Sequence, residues 1–203
     1  MSRAGDVFEN PVTGERVVVR IGTEDSGGDL LVADLTIRPG GPVMGEHFHP
    51  SIEERFTVVS GRVGFRIAGK TDFAEAGATL IVPSRIPHDW WNEGEDDALV
   101  RVEIRPGERF ETMICNAFGL AQDGLVNDKG MPNLLQLALF AQEFDDVIGF
   151  TRPPRWVQRL LFGLLSPIAR LLGYQGSYPV YLTRRSPSVS IEPLDIASGV
   201  DHS

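Results

Sequence analysis

The chain has 203 residues, is 42% hydrophobic and carries a formal net charge of -9, which fits one well-packed core with a smaller appended element rather than two full domains. Such an acidic balance lacks the nonspecific attraction to phosphate on which nucleic-acid binders rely, so DNA and RNA are set aside as partners. The single Cys115 forms no intramolecular disulfide and no zinc-type cysteine pair, and neither a signal-peptide core nor an apolar run of roughly 18 residues is present, so a cytoplasmic protein is expected.

From about residue 14 to 105 the chain consists of short runs rich in Val, Ile, Phe and Thr. Gly, Pro and Asp cut them at intervals of about ten residues, as in an all-β sandwich or barrel. The expected strands are RVVVRIG, DLLVADLTIR, the GEHFH segment, EERFTVVSG, RVGFRIAG, TDFAEAG, ATLIVP, a strand carrying His88, and ALVRVEIRP. Most alternate apolar with polar residues, so one face of each is buried. No helix-length connection separates them, which argues against a parallel β/α architecture.

After RPGERF the pattern turns helical. One helix is expected across 107–124, ending at Gly124, and a second across 131–149, with Pro132 near its first turn and a stop at Gly149. The third segment, PPRWVQRLLFGLLSPIARLLGY, holds Gly163 and Pro167 and predicts two short helices or one bent helix. The domain plan is therefore a barrel over 1–108, a helical extension over 109–183 packing on the barrel or on a partner, and a flexible tail over 184–203.

Charge is unevenly spread. Residues 147–191 contain six arginines and no acidic residue, whereas residues 1–146 hold 25 acidic against 13 basic side chains. Trp156, Leu160, Leu161, Leu164, Leu165, Ile168, Leu171 and Leu172 form an apolar set too broad to leave in water. Three uses compete for it: a lid or brace on the barrel, a homodimer contact against the acidic remainder of a second copy, or peripheral contact of 152–173 with an anionic membrane surface.

Three of the four histidines cluster in the barrel half. In an extended GEHFH segment, His47 and His49 project to one face about 7 Å apart, with Phe48 on the other. Glu54 opens the next strand, and its parity with Phe56 and Val58 prefers it over Glu53 as the inward carboxylate. His88 follows the Pro83 to Pro87 turn. Three imidazoles and one carboxylate form a borderline N/O donor set for a divalent Fe, Mn, Co, Ni, Cu or Zn ion, unlike the mostly oxygen sites of magnesium and calcium.

Read in order, Gly41, His47, His49, Glu54 and Gly61, then a fifteen-residue interval, then Gly77, Pro83, His88 and Asn92, resemble the paired motifs of the cupin superfamily. The resemblance covers roughly residues 15–105. It implies a double-stranded β-helix, or jelly-roll, barrel followed here by helices, with metal ligands on His47, His49, Glu54 and His88. One departure is Arg85, where the second motif usually has glycine. Gly61 and Gly77 suit turns with positive φ, and Asn92 suits a turn residue bonding to backbone.

Trp90 shares strand parity with His88 and is the candidate pocket wall, with Trp91 outside. Phe56, Phe65 and Ile67 are further apolar lining, and Arg85 is a candidate at the mouth. Glu103 shares a face with Arg101; inward it would be an acid/base candidate, outward an exposed ion pair. The resemblance implies a small-molecule substrate and frequent homodimerisation. Among cupin activities, a dioxygenase-type oxidoreductase acting on an apolar or aromatic molecule fits this ligand set first. Metal-dependent isomerase, cyclase or lyase chemistry and a non-catalytic ligand-binding module are the alternatives.

Overall fold

The computed structural model describes residues 1–40, 45–192 and 194. In chain order the strands are β1 (Val7–Glu9), β2 (Arg16–Ile21), β3 (Leu31–Ile37), β4 (His47–Phe48), β5 (Glu53–Ser60), β6 (Arg62–Ile67), β7 (Lys70–Glu75), β8 (Thr79–Val82), β9 (His88–Asn92), β10 (Ala98–Arg105) and β11 (Gly149–Phe150). The helices are α1 (Glu108–Gln122), α2 (Leu134–Glu143), α3 (Arg155–Leu171) and the short α4 (Pro179–Leu182). The strands form two antiparallel sheets ordered β1-β2-β3-β10-β5-β8 and β11-β4-β9-β6-β7, the mainly β architecture expected of a jelly-roll barrel.

Alternation builds the barrel. Along β10, Val100, Val102 and Ile104 are buried inward while Arg101 and Glu103 face outward. Arg101 there closes a two-pronged contact with Asp34 at 2.7 and 3.0 Å. Gly61 links β5 to β6 at φ 86°, and a Cβ there would lie 2.9 Å from the Ala98 Cα, so both conformation and space demand glycine. Gly41 of the first motif lies outside the described residues.

The helical segment shares the barrel's core. Met113, Phe118, Phe140 and Phe144 belong to the same apolar cluster as Phe56, Phe65 and Trp90. Between α2 and α3 the chain returns to the barrel as β11, pairing Phe150 with His47 and Gly149 with Phe48. Asn133 caps α2 by accepting from the Leu135 and Gln136 amides at 3.1 Å, with Pro132 just outside the cap.

Helix α3 is a single helix through Gly163 and Pro167. Proline has no N–H to offer the Gly163 carbonyl, and Gly163 is exposed, so water can take that role. Only Ser166 and Ala169 of α3 are buried. The apolar set does not brace the barrel: Trp156 is 71% exposed, Leu164 66% and Leu171 88%. Beyond α4, Ser186 and Val189 donate backbone hydrogen bonds to Val7 and Gly5 at 3.0 and 2.9 Å, so the segment first read as a tail runs beside β1 here. Residues 193 and 195–203 of it lie outside the described residues. Among the described residues no helix is long and apolar enough to cross a membrane.

Phe144 is fully buried, 4.8 Å from the Phe140 ring centroid and beneath the Arg109 guanidinium. Phe144→Ala is expected to cost ~3–5 kcal/mol, and urea unfolding should move as one transition. An unshifted barrel transition with a separate early phase would show that the helices fold apart from it.

Candidate metal centre

His47 sits in β4, directly opposite His88 in β9, and His49 follows one residue beyond the strand end. Glu54 enters from β5 in the other sheet, opposite Val82. All four side chains are buried, and one ligand atom from each lies within 4.8 Å of the others. Donors about 2.0–2.2 Å from a shared ion are at most about 4.4 Å apart, so the cage is within a few tenths of an ångström of closing on one. Glu53 points outward and is exposed, as strand parity required.

Backbone carbonyls orient each imidazole. The Nδ1 atoms of His47, His49 and His88 lie 2.7, 2.6 and 3.0 Å from the carbonyl oxygens of Gly45, Val147 and Ile86. Each Nδ1 therefore carries its proton outward as a donor, leaving the Nε2 lone pair for the centre. The inner atoms have no such partners. His49 Nε2, His88 Nε2 and Glu54 Oε2 are buried without an aligned hydrogen bond, although the two nitrogens lie 3.4 and 2.8 Å from that oxygen. Buried polar atoms left unpaired are costly. Three of them converging on one point fit a cation ligated there.

The ionisation of His47 and Glu54 fits this donor set. Burial pushes the His47 imidazole down to about 3, helped by the neighbouring His88 and His49, so it is neutral at physiological pH. Burial alone would raise Glu54, but the His49 and His88 contacts hold it below the usual carboxylate range. Burial pulls His88 down, and its contact with Glu54 outweighs this and raises it.

The cage opens on an apolar cavity of about 360 Å³. His47 and Glu54 reach its wall beside Phe56 and Trp90; Val102 and Ile104 come from β10, and Phe110, Ile114 and Phe118 from α1. Trp90 is thus inside. Trp91 is outside, over Gly64 and near the Arg66 guanidinium. Phe65 is not on the cavity: it stacks behind Trp90 at 6.1 Å, a layer deeper in the core. Ile67 packs against the core without reaching the cavity wall.

Two other candidates are not brought to the site. Glu103 is on the outer face of β10, 4.0 Å from Arg105, because its parity is opposite to that of Val102 and Ile104. Arg85 is exposed, and its Nε bonds the Pro50 carbonyl at 3.3 Å. Its backbone does more: φ is 67°, the left-handed conformation that glycine adopts freely, and its N–H donates to the His49 carbonyl at 2.7 Å. The motif's departure thus keeps a glycine-type turn that ties the His49 segment to the hairpin entering His88. Asn92 bonds only backbone, donating to the Ile37 and Asp96 carbonyls and accepting from Gly94.

Three contributors escaped the sequence. The Val147 carbonyl is a backbone atom with no residue-type signature. Phe110, 5.6 Å from the His49 ring, read only as helix core. Glu15, buried on the cavity wall, stood in a loop with no motif.

The cupin domain family, Cupin_2, matches residues 33–111. That stretch of the chain is a cupin domain. A stretch of 94 residues is 31% identical to the polyketide synthase CurC of Streptomyces cyaneus, covering 39% of this chain and 60% of the relative. Similar solved structures include KdgF from Halomonas sp., at 18% identity and TM-score 0.43 over 49% of this chain and 84% of that one. Another is a predicted oxalate decarboxylase from Thermotoga maritima, at 21% identity and TM-score 0.45 over 52% and 99%.

Elemental analysis of untagged protein should find close to one divalent transition-metal ion per chain. Replacing His47 and His49 together by Ala should remove it while leaving the barrel folded. Metal persisting in that double variant would place it elsewhere.

Proposed function

We propose that this cupin is a metal-dependent enzyme acting on a small apolar or aromatic molecule, with a dioxygenase-type oxidation as the first reading. The observation that carries it is the meeting of a four-ligand cage with an apolar cavity at His47 and Glu54. A divalent transition metal bound there supplies Lewis acidity and, where redox-active, a place for dioxygen. The protein's own part is to orient and to exclude water. The Nδ1 bonds fix the imidazoles, while Phe56 and Trp90 offer flat faces to a ring and keep the approach dry.

A second reading is Lewis-acid cyclisation, isomerisation or lyase chemistry without net oxidation. The 31% identity to a polyketide synthase favours it, although the chain spans only about 60% of that relative's length. Oxygen uptake separates the two. Iron- or manganese-loaded protein given phenolic aromatic substrates should consume dioxygen in step with substrate, and zinc-loaded protein should not. Turnover with zinc and no oxygen uptake would favour the second reading, and binding without turnover a ligand-binding module.

The partner that fits α3 is a second copy of this chain. Its exposed apolar stripe lies in a segment with six arginines and no acidic residue, complementary to the acidic excess of residues 1–146. Light scattering should give a dimer that Trp156→Glu with Leu164→Glu converts to a monomer. A monomeric wild type that sediments with anionic vesicles, and loses this when 152–173 are removed, would instead place α3 on a membrane surface.

A further inference from the structure

The cavity has a second polar end, away from the cage. Glu15 precedes β2, is 5% exposed and lies on the cavity wall. Glu54 and Glu15 lie at opposite corners of the first sheet: about 14 Å apart across the steps from β5 to β10, β3 and β2, and also offset along the strands, because Glu54 is level with Ile104 and Leu31 while Glu15 precedes Arg16, the partner of Thr36.

The pairing of Glu15 is incomplete. Its Oε2 accepts one hydrogen bond, from the Thr13 hydroxyl at 2.6 Å, and no other side chain among the described residues bonds it. Burial consequently pushes this carboxyl up to about 7. Glu111, on the same wall, shows how a structural carboxylate is satisfied. It accepts from Ser2 at 2.6 Å and Thr23 at 2.5 Å, and lies 3.6 Å from Arg185.

The loop holding Glu15 is well built. Asn10 Oδ1 accepts from the Val12 and Thr13 amides at 3.0 and 3.2 Å, and the Glu15 carbonyl accepts from the Asn10 amide at 2.9 Å. The turn around Gly130 runs close to Thr13, where an added Cβ would lie 3.2 Å from the Thr13 methyl. An apolar ligand filling the cavity covers this oxygen unless it brings a donor.

We propose that Glu15 reads the far end of the ligand, accepting a hydrogen bond from a hydroxyl on an elongated aromatic molecule whose other oxygen lies at the metal cage. This rests on the aromatic-ligand reading above and narrows it to molecules carrying oxygen at both ends. Only an elongated molecule can approach both. A molecule with a bare hydrocarbon end leaves the carboxyl desolvated and unpaired, so Glu15 selects against it.

Calorimetry on the full chain loaded with zinc tests this, using 2,6-dihydroxyanthraquinone beside 2-hydroxyanthraquinone. Wild type should bind the dihydroxy compound about tenfold more tightly. Glu15→Leu should bind the two equally, its retained affinity for the monohydroxy compound showing an intact cavity, and Glu15→Gln should keep part of the preference through its amide oxygen. No preference in wild type, or one that survives Glu15→Leu, would overturn the role of Glu15 while leaving the aromatic reading in place. If wild type binds neither compound, the aromatic reading fails and this inference with it.

Discussion

Three bonds from imidazole N–H groups to backbone carbonyls set the conditions for everything else in this molecule. Without them each ring could turn its protonated nitrogen inward, and the cage would offer donors where a cation needs lone pairs. Gly45 and Ile86 are each two residues from the histidine they hold, so the bonds to His47 and His88 are local. The bond to His49 comes from Val147, 98 residues away.

That long-range bond explains why the helices belong to the site. The chain reaches Val147 only after α1 and α2 have packed on the barrel, and Phe144 and Ile148 are buried in the shared core on either side of it. β11 then pairs with β4, the two-residue strand carrying His47. So short a strand is weakly held by one neighbour; with β9 on one side and β11 on the other it is secured on both. The extension thereby fixes two ligands and supplies, through α1, one wall of the cavity.

What the sequence made legible follows from periodicity. A period of two assigned Glu54 inward over Glu53 and Trp90 inward over Trp91, and the structure places both pairs so. Motif spacing located the cage because its four residues are fixed by strand ends and turns. The same parity left Glu103 open, since alternation alone does not say which face of β10 is the interior, and the burial of Val102 and Ile104 decides it. β11 and the Val147 carbonyl were invisible because contacts between backbone atoms about a hundred residues apart leave no residue-type trace, and β1 because three residues are too few to show a period of two. Gly163 and Pro167 suggested a break in α3 that solvent exposure makes unnecessary.

The cavity treats Glu54 and Glu15 in opposite ways. Glu54 is held charged by His49 and His88, and a divalent ion ligated by three imidazoles and one carboxylate would keep one uncompensated positive charge. Such a centre prefers a ligand oxygen that is anionic or becomes so, such as a phenolate or enolate. Glu15 has only the Thr13 hydroxyl, and burial works against its charge. One end of the cavity therefore stabilises negative charge on a ligand, while the other asks for a neutral donor, with apolar walls between them that contribute area but no direction. A molecule with two oxygens and a flat apolar body can lie in this field in one orientation more favourably than in the reverse, because reversing it matters wherever its two hydroxyls differ in acidity. On this proposal the barrel orients its ligand by charge preference at two points, the third carboxylate of the wall, Glu111, being already taken up by Ser2, Thr23 and Arg185.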